Sequence, residues 1–480
     1  MSKEKQKDKL IFSDDVVLNY YLSLKTKPFV ILMGLSGSGK TKLAMRFADA
    51  MTGGDKSRYT MVPVEAGWVD SKNLLGYYNP LSNSYNSTDF LKVLIRAYNN
   101  YTNSILINKK EEIHPYFIIL DEMNLSKVEY YFSKFLSVLE TKKSIPIRKL
   151  VDELDYEIYD SKLDETMMLT EPITLHNDPK LEDLLVETPK DISEIKTGMK
   201  IRDKDEYIWD ITAEDIDLMK EFEAIPREKK ENALWNGEIT GTFIKWVFIN
   251  KGDYYQIHVK DAVHTIPRQI RIPPNLYFTG TVNVDETTYM FSPKVLDRAN
   301  SIELTNINID DFEEMLFQET PELPPDSAKM ELKEMIADFT YNYKFKFELN
   351  DLKENSTSIK KDLGLFEKLL REYFRIIKDL SKEFKMAPKF KFGYRVINEM
   401  LKYIVNSLDL LGVSDEIFKK FALDLQLKQK ILPKIHGMKS EIEKLLEALK
   451  SPNYEDFEVF QEKVGEMLDE LKLKQFTSYM

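Results

Sequence analysis

The octet Gly34-Leu35-Ser36-Gly37-Ser38-Gly39-Lys40-Thr41 is the stretch of this sequence best suited to chemistry. It fits the pattern G-x-x-x-x-G-K-[ST] without a mismatch. Glycines let such a loop curl until several backbone N–H groups point at phosphate oxygens. The start of the following helix adds partial positive charge. In this arrangement Lys40 reaches the β- and γ-phosphates and the Thr41 hydroxyl ligates Mg²⁺. The expected ligand is a nucleoside triphosphate with Mg²⁺, and the loop leaves ATP and GTP open.

Two further groups have the chemistry to act on that ligand. Asp121 and Glu122 close the apolar run Tyr116-Phe117-Ile118-Ile119-Leu120. A strand end of this kind is where an open α/β sheet places ligands. Asp121 is expected to hold Mg²⁺, and Glu122 to polarise an attacking water as general base. Asn283 ends a second run, Leu276-Tyr277-Phe278-Thr279-Gly280-Thr281-Val282, with an amide able to orient that water. Arg298 follows Lys294-Val295-Leu296-Asp297 just before a last strand. From a subunit edge it would reach a neighbour's γ-phosphate, and within its own chain it would pair with Asp297 or another acid; the spacing leaves both open. Arg395, in Phe392-Gly393-Tyr394-Arg395, stands at the start of a helix. His436 reads as structural. No His, Cys and Asp cluster has the spacing of a metal site.

The elements that position these residues follow from periodicity. Phe29-Val30-Ile31-Leu32-Met33 does not alternate, which predicts a strand buried on both faces. Leu43, Ala44, Phe47 and Ala48 recur at helical spacing behind the octet. A lead-in helix is expected over 11–27, broken by Lys25-Thr26-Lys27-Pro28. A strand over Tyr59–Glu65, a turn, short helix and loop through Pro80, and a helix over 88–103 come next. Residues 125–140 read as one amphipathic helix. Strands at Thr242–Phe248 and Tyr254–Val259 flank Asn250-Lys251-Gly252-Asp253, a hairpin signal. The last core strand is expected at Ser301–Leu304. Beyond it, stripes such as Phe366, Leu369, Tyr373, Ile377 and Leu380 predict packed helices. The expected organisation is a lead-in over 1–27, a first core part over 28–140 and an acidic α+β insertion over 141–269. A second core part over 270–305 and a helical C-terminal region over 306–480 complete it. The fold class is therefore α/β, a parallel sheet flanked by helices.

Composition narrows the function classes. The net charge of −12 disfavours a broad nucleic-acid footprint, which needs a concentrated basic face. Asp152, Glu153, Asp155, Glu157, Asp160, Asp164 and Glu165 crowd one stretch and read as a solvated face. The sequence has no cysteine, which excludes thiol chemistry and a disulfide framework. No apolar run is long enough to span a membrane, and the charged start MSKEKQKDKL does not read as a signal peptide. The expected location is the cytoplasm.

With the octet, the motif Phe117-Ile118-Ile119-Leu120-Asp121-Glu122-Met123-Asn124 and the segment from Gly280 to Ala299, the chain resembles an AAA+ NTPase. More narrowly it resembles the McrB-like, dynein-related branch, the motors of modification-dependent restriction systems. The resemblance implies an AAA+ core with an all-α lid, and Mg²⁺ with ATP or GTP as substrate. It implies that Gly34 to Thr41 bind nucleotide, that Asp121 and Thr41 serve Mg²⁺, and that Glu122 serves hydrolysis. It makes Asn283 sensor 1, Arg298 the arginine finger and Arg395 sensor 2. It also implies a ring homo-oligomer, a hexamer, with a McrC-like nuclease subunit as partner and DNA reached through that partner or the pore. Where the McrB-like signature reads Asn-Thr-Ala-Asp-Arg, this chain reads Asn283-Val284-Asp285-Glu286-Thr287, so the base preference stays open. A MoxR-like chaperone and a nucleotide-gated scaffold with little hydrolysis are the competing readings.

Overall fold

A computed structural model of the chain describes residues 12–79, 84–150, 163–175, 269–284, 289, 291–304 and 325–479. It also describes the backbone of six strands within 200–264. Runs that are apolar without alternation become central strands, because helices cover both faces of the sheet. Phe29–Gly34 (β1), Tyr59–Pro63 (β2), Tyr116–Asp121 (β3), Leu276–Asn283 (β4) and Asn300–Leu304 (β5) form one five-stranded sheet. Its order is β5-β1-β4-β3-β2, and every neighbouring pair is parallel. β4 thus enters the centre of the sheet although residues 122–275 separate it from β3. Gly34 stands beside Asn283 in the β1–β4 register, and Gly280 beside Leu120 in the β4–β3 register.

Helices Asp14–Thr26 (α1), Lys40–Met51 (α2) and Asp89–Leu106 (α3) belong to this core. Thr88 starts α3 as its N-cap, its hydroxyl accepting from Leu91 N at 3.1 Å. Downstream lie Pro325–Phe339 (α4), Leu363–Glu383 (α5), Tyr394–Leu411 (α6), Lys439–Leu449 (α7) and Glu458–Lys474 (α8). α1 is tied to the sheet by Tyr20, whose hydroxyl lies 2.6 Å from that of Thr279. It is tied to α4 by Lys25, 2.7 Å from Asp338. Two π-helical stretches, Ile417–Leu423 and Leu427–Ile431, lie between α6 and α7. A short antiparallel ladder joins His436–Met438 to Phe476–Ser478, an addition to the expected helices. Among the described residues no helix is long and apolar enough to cross a membrane.

The single helix expected over 125–140 is broken. The chain forms a 3-10 turn at Met123–Leu125 and then two short helices, Val128–Tyr131 and Ser133–Val138. Between them Phe132 leaves helical geometry at φ −102° and ψ 7°. Its ring stacks on Phe135 at 4.9 Å and packs on Phe29 of β1 at 5.5 Å. Aromatic packing on the sheet outweighs the small gain from continuing one helix. The loop expected near Pro80 is also corrected: Tyr77–Asn79 pairs with Ser84–Asn86 as a hairpin. Thr242–Phe248 pairs antiparallel with Tyr255–Val259 as expected. Its turn, Asn250 to Asp253, lies outside the described residues, as do Asp152 to Asp160 of the acidic run. Lys143–Pro146 pairs with Thr166–Leu169, and Ile145, Ile147 and Met167 pack on Tyr101 and Ile105 of α3.

A buried ionic group joins core and C-terminal helices. Glu399 of α6 receives Lys27 at 2.5 Å and Lys430 at 2.7 Å. All three residues are at most 9 % exposed. Burial alone would raise the Glu399 carboxyl, but the Lys430 and Lys27 ammoniums outweigh it and hold the group at about 2. The folded value lies below the ordinary 4.5, so its stabilisation is present above that value. It is lost as pH falls through the window towards 2. Chemical denaturation at about pH 5 and about pH 3 should therefore show a steep loss of stability for the natural chain and a shallower one for Glu399→Gln. Equal losses in both chains would contradict this ionic account.

Candidate active site

The octet leaves β1 at Gly34, where a side chain has no room. A Cβ there would stand 2.3 Å from the Leu304 carbonyl oxygen of β5. Gly39 closes the loop at φ 86°, the left-handed region that favours glycine, and caps α2. Lys40 is the first residue of α2 and is buried. Its ammonium donates to the carbonyls of Gly34 at 2.9 Å and Leu35 at 2.6 Å, and approaches the Ser38 hydroxyl at 3.3 Å. The cation thus sits inside the curl of the loop, where phosphate oxygens would exchange for those carbonyls.

Asp121 ends β3 one strand away from the β4 terminus and two from the octet. Its Oδ1 accepts from the Thr41 hydroxyl at 2.6 Å and the Thr281 hydroxyl at 2.7 Å. A hydroxyl and a carboxylate in contact are hard oxygen donors that suit Mg²⁺. Among the described residues no group of three or more His, Cys, Asp or Glu would hold a metal. These two donors fit an ion that takes most of its ligands from phosphate and water.

Glu122 does not continue the strand. Its backbone lies at φ 51° and ψ 48°, a left-handed conformation that costs a residue with a Cβ about 1–2 kcal/mol. Several contacts hold it there. Its N–H donates to the Thr281 hydroxyl at 3.0 Å, and its carbonyl accepts from Leu125 N at 3.0 Å. Tyr131 donates to the Met123 carbonyl at 2.8 Å, and Asn124 Nδ2 donates to the Asn283 carbonyl at 3.2 Å. Gly280 leaves room for Met123, whose sulfur would stand 2.5 Å from a Cβ at that position. The turn swings the Glu122 carboxylate to Asn283, whose Nδ2 donates to it at 3.3 Å. Backbone strain of this kind clusters at active sites and ligand clamps.

The structure thus brings Thr41, Asp121, Glu122 and Asn283 into one hydrogen-bonded chain. Its hub, Thr281, was not singled out by sequence. Strand alternation carried the signal, since Thr281 stands two places before Asn283 and shares its face.

Arg298 and Arg395 form a second group, joined through Glu140. Arg298 Nη2 lies 3.7 Å from the Glu140 carboxylate, while its Nη1 donates to the Lys294 carbonyl at 2.9 Å. Arg395 pairs with the same Glu140 oxygen at 2.5 Å and with Asp297 at 3.3 Å. Lys434 also pairs with Asp297. Thr287 and its neighbours 285–288 lie outside the described residues.

Residues 29–183 match the family model of an AAA domain, dynein-related subfamily. The fold is an AAA+ core. The match and the site together support an AAA+ NTPase. A second family model, a domain of unknown function, matches residues 344–476. No curated protein matches the chain.

Thr281→Val keeps shape and β-propensity but removes the hydroxyl that joins Asp121 to the Glu122 turn. Two hydrogen bonds are lost, to Asp121 and from Glu122 N, and each at about 1–1.5 kcal/mol corresponds to about tenfold in rate. Phosphate release should fall by that factor or more, with nucleotide affinity nearly unchanged. Unaltered turnover would remove Thr281 from the site.

Proposed function

We propose that this chain is the NTP-hydrolysing motor subunit of a McrB-like ring that drives a nuclease partner on DNA. The hydrogen-bonded chain from Thr41 through Asp121, Thr281 and Glu122 to Asn283 carries the hydrolytic part of this reading. Lys40 offsets the charge that develops on the γ-phosphate. Glu122 takes the proton of a water whose oxygen bonds to the γ-phosphorus as the bond to the leaving diphosphate breaks. Asn283 holds Glu122 and lines up that water. Mg²⁺, when bound at Thr41 and Asp121, would neutralise the β- and γ-oxygens.

Arg298 supports the ring. It precedes β5, the edge strand of the sheet, and its partners Glu140 and Lys294 lie outside the hydrogen-bonded chain of the hydrolytic residues. A residue so placed completes the site of a neighbouring subunit, and Arg395 links the C-terminal helices to the same spot. The net charge of −12 favours DNA contact through the partner or a pore.

Subunit mixing tests the assembly and the chemistry together. Arg298→Ala and Lys40→Ala chains should each hydrolyse poorly. Mixed, a Lys40-intact site borrows Arg298 from its Lys40→Ala neighbour, and activity should rise about 10³-fold or more above either alone. Mixed subunits that co-assemble and stay inactive would place Arg298 within its own chain.

A further inference from the structure

The backbone around Arg298 is held from both sides by the buried ionic group. Lys27 donates to the Asp297 carbonyl at 2.8 Å, and Lys430 donates to the Ala299 carbonyl at 2.7 Å. These carbonyls flank Arg298 in sequence. Both ammoniums share the Glu399 carboxylate, one oxygen each, at 2.5 Å and 2.7 Å. Three separate parts of the chain therefore converge on three residues of backbone: the end of the lead-in before β1, the helix α6 and the π-helical stretch Leu427–Ile431.

We infer that Glu399, acting through Lys27 and Lys430, is a positioning residue that sets the backbone from which Arg298 is offered to a neighbouring subunit. This rests on the in-trans role proposed for Arg298 above. Stability alone does not call for such a group, since apolar residues of similar volume commonly serve a buried site as well or better. What an apolar cluster cannot supply is a pair of directed donors to two chosen carbonyls. Burial of the two lysines excludes water as a competing donor, so the carbonyls stay where the ammoniums hold them.

The Arg298 side chain is less settled than its backbone. Its Nε is buried without a hydrogen-bond partner, and its contact with Glu140 is long at 3.7 Å. A fixed backbone with an incompletely paired guanidinium is suited to swing outward to an anion. Arg395 stands one helical turn before Glu399 on α6 and pairs with Glu140 and Asp297. A displacement of α6 would shift both the carbonyl clamp and the acid that faces Arg298. The helix thereby reports its position to the next subunit's site.

The test uses the full chain and three readouts: affinity for fluorescent ATP and GTP analogues, turnover, and mixing. Glu399→Gln should bind nucleotide within about twofold of the natural chain yet turn over about tenfold to about a hundredfold more slowly, the cost of a misplaced group. Mixing it with Lys40→Ala should restore activity, because the Lys40→Ala neighbour presents a correctly held Arg298. Mixing it with Arg298→Ala should restore none. Turnover at the natural rate would overturn the inference. So would a weakened affinity that Lys40→Ala subunits fail to rescue, since Glu399 would then serve its own chain's site. If Arg298→Ala and Lys40→Ala fail to complement each other, the in-trans role itself falls, whatever Glu399→Gln does. Lys430→Met covers a failure of Glu399→Gln to fold: it leaves the Lys27–Glu399 pair intact and releases only the Ala299 carbonyl. It should show the same slow turnover and the same rescue, and natural turnover in a folded Lys430→Met chain would overturn the inference.

Discussion

The hydrogen bonds of β4 to β1 on one side and β3 on the other determine where three strand ends stand. Gly34 lies beside Asn283, and the register with β3 brings Thr281 to Asp121. Without that pairing the Gly34–Thr41 loop, the Asp121-Glu122 pair and Asn283 would be separate segments, distant in sequence. Parallel pairing also requires long crossovers, and the connection from β3 to β4 spans residues 122–275. Loop-closure entropy grows only slowly with length, so a connection this long costs the sheet little.

On this frame the finer geometry depends on one hydroxyl. Thr281 donates to Asp121 and accepts from Glu122 N, the two roles a hydroxyl fills at once. That contact helps to offset the left-handed backbone at Glu122, which in turn aims the carboxylate at Asn283. Strain and hydrogen bonds are therefore spent on the orientation of one carboxylate.

The central strands were legible because β1, β3 and the first half of β4 are apolar runs, whereas the edge strands β2 and β5 mix apolar and polar residues. The loop between β1 and α2 was legible because glycines at that spacing, ahead of a helical apolar pattern, mark a tight turn into a helix. What escaped was decided by long-range contacts. Thr281 reads as an ordinary β-branched strand residue until Asp121, 160 positions away, is placed beside it. The helix expected over 125–140 has good periodicity, but Phe132 is drawn against Phe29 of β1. Glu140 looks like any acid at a helix end, and only the folded chain sets it between Arg298 and Arg395. Lys27 and Lys430 similarly look like surface cations, and Glu399 like a surface anion.

Glu122→Gln tests the central claim most directly, with nucleotide binding and phosphate release measured on the same protein. The residue keeps its size, and its backbone contacts with Thr281 and Leu125 do not involve the carboxylate. The account predicts that binding survives and that hydrolysis falls by about 10²-fold or more, the usual contribution of a general base. Hydrolysis at the natural rate would contradict it.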